Sequence, residues 1–213
     1  MGSVVKDDSI RIEKLELGPF GTNAYIIICQ QTSASVLIDA PAEASKILKQ
    51  LKATEPKYIL MTHNHMDHTG ALKELKSSLN VPVSAHSDDT DGLPVKADIL
   101  IKDGDVISCG NIQLTVLHTP GHTPGSVCFL TGNHLIAGDT IFPDGPGKTG
   151  SPAAFKRIVE SLTRKIFILP EDTQIYPGHG NSTILKKEKQ AFEAFSAKPH
   201  DPNLCGDVLW STS

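Results

Sequence analysis

The chain of 213 residues lacks most of what would make it anything but a soluble enzyme or binding domain. Its four cysteines, Cys29, Cys109, Cys128 and Cys205, form no C-x-x-C pair. This excludes a disulfide framework of the small secreted kind and fits reduced thiols, the first three reading as small buried hydrophobes. No apolar run approaches the length of a membrane span. Lys6, Asp7 and Asp8 occupy the amino end, where a signal peptide would need an apolar stretch, so a cytoplasmic location is the expectation. Basic excess is missing too: the net charge of -4 argues against a nucleic-acid surface. The basic patch Lys186-Lys187-Glu188-Lys189 reads as a solvated helix face. Repeats and linkers are also lacking, so the expectation is one domain over residues 1–213, with its core at about 10–196 and an irregular tail from 197 to 213.

What is present is a concentration of metal-ligand residues. Thr62-His63-Asn64-His65-Met66-Asp67-His68-Thr69-Gly70 places three imidazoles and a carboxylate within six residues. The apolar run Tyr58-Ile59-Leu60-Met61 before it reads as a buried strand, and Ala71, Leu72, Leu75 and Leu79 after it recur at helical spacing. In extended chain, residues two apart share a side, so His63 and His65 can reach one ion. Asp67 and His68 lie in the turn and can aim at a second point. The donor set matches the nitrogen and oxygen preference of zinc.

Around this stretch the pattern alternates. Strands are expected at Ile10–Leu17, Ala24–Cys29, Ser35–Asp39, Val81–His86 and Thr173–Tyr176, with hairpins around Gly110-Asn111 and Gly132-Asn133. Helices are expected after Pro41, from Ser151-Pro152 and over Ser182–Phe195. Residues 87 to 98 read as polar and irregular. Each half begins in strands and ends in helix, and two sheets face to face with helices outside would bury every apolar strand: an α/β, four-layer αβ/βα sandwich.

Three later residues join the candidates. His122, Asp139 and His179 each follow an apolar strand and each has glycine immediately before it, which lets backbone turn sharply beside an ion. Two divalent cations held by five imidazoles and two carboxylates retain about two positive charges, enough to generate a hydroxide near neutral pH, so no serine or cysteine nucleophile is required. Asp67 can also orient that hydroxide or pass its proton to a leaving group. Asp39 reads as a residue that orients a ligand or caps a turn.

The pattern His63-x-His65-x-Asp67-His68, then His122, Asp139 and His179, resembles the metallo-β-lactamase superfamily across residues 10 to 195. The resemblance implies an αβ/βα sandwich with a two-metal site at one edge. It implies that His63, His65 and His122 bind one metal, that Asp67, His68 and His179 bind the other, and that Asp139 bridges them. The ions would be zinc, with iron or manganese as alternatives. Ala137-Gly138-Asp139-Thr140-Ile141-Phe142 and Gly147-Lys148-Thr149 resemble the glyoxalase II, or hydroxyacylglutathione hydrolase, branch. By that likeness Lys148 would contact a carboxylate of a small anionic substrate, and the reaction would be hydrolysis of a thioester or related ester. Gly150 and Gly180-Asn181 stand where that branch carries aromatic residues, and nothing in these 213 residues corresponds to its carboxy-terminal helical domain. The likeness therefore carries thioester hydrolysis further than it carries glutathione. Related persulfide dioxygenases, which use one iron on the counterparts of His63, His122 and Asp139, are the alternative within enzymes. A metal-stabilised binding protein is the alternative outside them.

Gly145-Pro146-Gly147-Lys148-Thr149-Gly150 also fits G-x-G-x-x-G formally. Pro146 removes an N–H that would face a pyrophosphate, and no βαβ unit surrounds the segment, so it reads instead as a mobile loop over the metal site. Trp210 and the tail either cover the site or pack on a helix.

Overall fold

The structure is a computed structural model and describes residues 2–213. The first sheet is built in chain order from β1 (Gly2–Lys6), β2 (Ile10–Leu17), β3 (Thr22–Cys29), β4 (Ala34–Ile38), β5 (Glu55–Leu60), β6 (Val83–His86) and β7 (Ile99–Ile101). Its first four strands pair antiparallel through hairpins. Its last four run parallel, because α1 (Ala44–Leu51), and then α2 (Met66–Thr69) with α3 (Leu72–Leu79), carry the chain back between them. The second sheet holds β8 (Val106–Cys109), β9 (Ile112–His118), β10 (Val127–Thr131) and β11 (His134–Gly138). The hairpin β12 (Ile141–Phe142) and β13 (Gly145–Pro146) and helix α4 (Pro152–Ser161) follow. Then β14 (Gln174–Pro177) joins β11 in parallel, and β15 (Thr183–Ile184) and α5 (Leu185–Ser196) complete the half.

Alternation on β3 shows why the sheets stack. Tyr25, Ile27 and Cys29 point one way and meet Leu114, Val116, Phe129 and Ile136 of the other sheet. Ala24, Ile26 and Ile28 point the other way and meet Ile47 and Leu51 of α1 and Leu72 and Leu75 of α3. The second sheet turns Cys128, Leu135 and Ile175 outward against Leu185 and Phe195 of α5. Helices, sheet, sheet and helices make the four layers read from the sequence. Each fully buried Ile or Leu in these layers contributes about 1.5–3 kcal/mol, so an aspartate at Ile27, fully buried between the sheets, would break the sandwich.

Ser151 caps α4 by accepting from Ala154 N–H at 3.2 Å, with Pro152 at the first helical position, as the residues require. Five details differ from expectation. Asp67 and His68 sit in the one-turn helix α2 rather than in an open turn. β1 and β7 are short edge strands whose few apolar residues show no sustained alternation. Ser87–Gly92 forms a 3-10 turn rather than irregular chain. The last helix starts at Leu185, because Thr183 and Ile184 pair with β14 instead. The segment 145–150 is pinned, not a free loop: Gly145 and Pro146 pair with β12, and Thr149 and Gly206 exchange backbone hydrogen bonds of 3.1 and 2.9 Å.

Candidate metal centre

All seven candidate ligands meet at one end of the two sheets. Four come from the chain leaving β5, and the others from chain leaving β9, β11 and β14. Three groups of donor atoms lie within 4.8 Å of one another: His63, His65 and His122; His63, His68 and Asp139; Asp67, His68 and His179. His122 Nε2 stands 2.9 Å from His65 Nδ1, and His68 Nε2 stands 3.4 Å from His179 Nε2. Asp139 reaches towards both sides, with Oδ2 at 3.5 Å from His122 Nε2 and Oδ1 at 3.4 Å from His68 Nε2.

The outward-facing nitrogens explain the convergence. His122 Nδ1 donates to the Lys148 carbonyl at 2.8 Å, and His179 Nδ1 donates to the Phe20 carbonyl at 3.2 Å. His68 Nδ1 donates to Asp39 Oδ2 at 2.8 Å. Thr62 gives its hydroxyl proton to Asp39 Oδ2 at 2.7 Å and so accepts from His63 Nδ1 at 3.0 Å. Four rings are thus fixed in the tautomer that leaves an Nε2 lone pair facing inward. His63 Nε2 and Asp139 Oδ1 are buried there without a hydrogen-bond partner. Inward lone pairs a few ångström apart repel one another unless a cation lies among them, and neutral imidazoles with carboxylates are the donors a divalent ion takes. The residues therefore fit the ions that the pattern implies.

Asp39 performs the orienting role read for it. Held at a positive φ of 61° and 2% exposed, it also accepts from Thr62 N–H at 2.8 Å. Gly178 is required before His179, because a Cβ there would lie 2.1 Å from Asp139 Oδ1.

Charge follows the same geometry. Burial opposes a charged His68, but Asp39 and Asp139 outweigh it and push the ring up to about 10. Burial, then the neighbouring His68, holds His63 well below its usual value, and burial with His122 lowers His65. Asp139 is buried, yet the His68 ring 3.4 Å away and the surrounding imidazoles keep its carboxyl far below the usual range.

Sequence reasoning missed the supports supplied by the first residues of β3. Thr22 Oγ1 donates to Asp67 Oδ2 at 3.1 Å, and Asn23 N–H donates to the Gly178 carbonyl at 2.7 Å. Tyr25 is a core tyrosine whose hydroxyl donates to the Pro177 carbonyl at 2.7 Å, tying the first sheet to the strand that presents His179. The turn residues Gly18 to Asn23 were the available signal, but nothing local says what a turn will face.

A cavity of about 320 Å³ opens beside His122, Asp139 and His179. Phe142, Val208 and Leu209 line it, and Lys148 pairs with Asp207 at 3.1 Å on its exposed side. Both tail expectations hold together. Trp210 is buried against Phe192 and Phe195 of α5, and the residues just before it wall the cavity.

Comparison with known proteins decides the family. The model described as the metallo-beta-lactamase superfamily matches residues 17–179. The chain belongs to that superfamily. Within it, a hydroxyacylglutathione hydrolase of Pelagibacter ubique is 39% identical over 160 residues, covering 73% of this chain and 65% of that protein. An uncharacterized protein of Aquifex aeolicus is 32% identical over 206 residues, covering 88% of this chain and 97% of its own. Among solved structures, TTHA1623 in a di-iron-bound form superposes with a TM-score of 0.73 at 31% identity, over 84% of this chain and 97% of that one. The chain is accordingly a superfamily hydrolase whose fold implies divalent metal ions. Among the described residues, no helix is long and apolar enough to cross a membrane.

Proposed function

We propose that the chain hydrolyses a thioester or related ester of a small anionic molecule, in the manner of the hydroxyacylglutathione hydrolases it resembles. We read His63, His65 and His122 as ligands of one divalent ion, Asp67, His68 and His179 as ligands of a second, and Asp139 as shared. The observation that carries this is the set of rings whose outer nitrogens are anchored while their inner ones converge with Asp139 between them. Zinc suits the donors best; iron, the metal named for a similar structure, and manganese suit them too.

When bound, two such ions bring the pKa of a water near neutrality and polarise the acyl oxygen. The protein supplies the rest. Neutral rings leave the ions' charge unspent, and Asp139 and Asp67 are the only anions among the seven ligands. Asp67 Oδ2 accepts from Thr22 and lies 3.1 Å from His179 Nε2, which fixes a carboxylate at the mouth of the site. From there it can orient the attacking water or hand a proton to the leaving thiol. The apolar walls Phe142, Val208 and Leu209 keep bulk water from one side of the cavity. Lys148, mostly exposed beside it, can exchange Asp207 for a substrate carboxylate, since an exposed ion pair is worth only about 0–1 kcal/mol.

Elemental analysis of reconstituted protein, together with a turnover screen of thioesters, lactones and phosphodiesters, tests the reading. Two ions per chain and preferred thioester turnover are expected. One tightly held iron, no second site at excess metal and oxygen uptake on a thiol persulfide would replace it with the dioxygenase reading.

A further inference from the structure

The 3-10 turn Ser87–Gly92, which follows β6, stands outside the metal centre but touches both chain segments that supply His63, His65 and His122. Asp89 in this turn is 1% exposed. Its Oδ1 accepts from Gly125 N–H at 2.8 Å and its Oδ2 accepts from the Thr123 hydroxyl at 2.7 Å. Both oxygens are therefore engaged by the loop between β9 and β10, on the residues directly after His122. The fit is close: a Cβ at Gly125 would lie 2.6 Å from Asp89 Cγ. At the end of the same turn Gly92 packs on the side chain of Asn64, where a Cβ would lie 2.4 Å from Nδ2. Asn64 is the residue between His63 and His65.

One six-residue turn thus spans the two sheets. It is anchored on β6 of the first, presses on the segment carrying His63 and His65, and grips the His122 loop of the second. The 2.9 Å separation of His65 Nδ1 and His122 Nε2 depends on how those two segments are spaced. Inside the loop, Thr123 N–H donates to Ser126 Oγ at 3.1 Å, so fixing Thr123 fixes the turn as a whole. The nearby group His86, Asp88 and His118 also brings donor atoms within 4.8 Å. Its two rings lie parallel, stacked at 3.9 Å and 13°, and His118 Nε2 is held by the Pro124 carbonyl, so their lone pairs pass one another rather than meet. That pair is packing behind the loop, and Asp89 is the contact that sets it.

We propose that Asp89 is a positioning residue that holds His122 in register with His63 and His65, and so sets the affinity of the first metal position without touching the ion. This rests on reading those three histidines as a metal triad. An acid is needed because only a carboxylate accepts at both oxygens; an amide would turn its NH2 towards a donor.

The test is titration of the full chain with cobalt(II) against a chromophoric chelator, alongside the melting temperature of the metal-free protein. Parent protein is expected to show two binding steps. Asp89→Asn should weaken one of them by up to about the ten- to hundredfold that losing a direct partner behind a ligand costs, since Asp89 acts on His122 through its loop. The other step should stay close to parent, and the metal-free melting temperature should fall modestly, as one buried donor left without an acceptor requires. Thr123→Val should weaken the same step, and Thr123→Ser, which keeps the hydroxyl, should restore it. If Asp89→Asn does not fold, the Thr123 pair decides. Loss of both steps in parallel with the melting temperature would make Asp89 merely structural and overturn the proposal. Unchanged cobalt affinity in Asp89→Asn or Thr123→Val would overturn it also. A parent chain that takes up no cobalt would sink the metal reading itself, a result distinct from either.

Discussion

The two halves of the chain build their shares of the proposed metal centre by different means. The first half contributes His63, His65, Asp67 and His68 from one strand end, and it fixes His63 and His68 with side chains, Thr62 and Asp39. The second contributes His122, Asp139 and His179 from three separate strand ends, and both histidines are fixed by backbone carbonyls, His122 by that of Lys148 in the same half and His179 by that of Phe20 in the first. Burial cuts across this division: the His68 side chain is 0% exposed and that of His179 28%, yet His65 of the first half is exposed and the His122 side chain of the second is only 8% exposed. Side-chain anchors can be removed one residue at a time. Carbonyl anchors move only if the chain path moves, so the second half draws its precision from the fold as a whole.

Four experiments would break or sharpen this contrast. The largest effect is expected at the shared and exposed ligands. Asp139→Ala and His179→Ala should remain folded, and turnover should fall by well over about a hundredfold, since even partners behind a ligand cost that much. His179→Ala should keep one ion per chain by elemental analysis; near-parental hydrolysis with one ion would show that the second position is not catalytic.

Asp39→Asn comes next. Asparagine tolerates the positive φ of 61°, so the change removes charge and one acceptor rather than the turn. Metal affinity should drop by about ten- to hundredfold and the metal-free fold should lose about 1–3 kcal/mol, because three donors depend on this carboxylate. Denaturant melts and chelator competition measure both. Parental values would mean that the side-chain anchors of the first half are dispensable.

A third test uses pH on metal-free protein. The His68 pKa is raised to about 10 when folded, above its unfolded value near 6.5. Its contribution to stability is then complete below about pH 6.5 and is lost as pH rises through about 10. Melting temperatures of chelator-treated protein should fall across that window, and Asp39→Asn should flatten the slope. A slope unchanged by the substitution would remove the Asp39–His68 pair as its source.

The smallest effects belong to the exposed pair Lys148–Asp207. Lys148→Ala should raise KM on an anionic thioester more than it lowers kcat, and Asp207→Asn should lower that KM by a few-fold, about what an exposed pair allows. A neutral thioester should show neither change. An unchanged KM in both variants on the best anionic substrate would leave recognition to the metal ions and the cavity wall.

The same contrast explains what could be read in advance. His63 to His68 were legible because their chemistry is local: four ligands in six residues, between a strand pattern and a helix pattern. Asp39 was legible as a charged residue ending a buried strand. His122, Asp139 and His179 were each weak singly and became persuasive only through their order and the glycines before them. The supports at Thr22, Asn23 and Asp89 could not be assigned a role, because a polar residue at a strand start or in a turn declares nothing about the distant loop it will meet. Lys148 was read from its loop, but its partner Asp207 lies 59 positions on, and such a pairing is written only in the packing of the tail. The four-layer sandwich followed from alternation, while β1 and β7 were too short to show a period.

The segment from Gly206 to Ser211 divides the molecule's labour. It crosses the β12–β13 hairpin, fastened by Thr149 at one end and by Asp144, which accepts the Trp210 and Ser211 N–H groups, at the other. None of these fastenings passes through a metal-site hydrogen bond. Inheritance can therefore rewrite the exposed Asp207 and Leu209, and with them the charge and rim of the cavity, while Val208 stays packed in the core and the reactive centre stays as it is. A lineage starting from such a chain can wander between substrates by small steps, each tolerated, because the part that chooses and the part that reacts are edited separately.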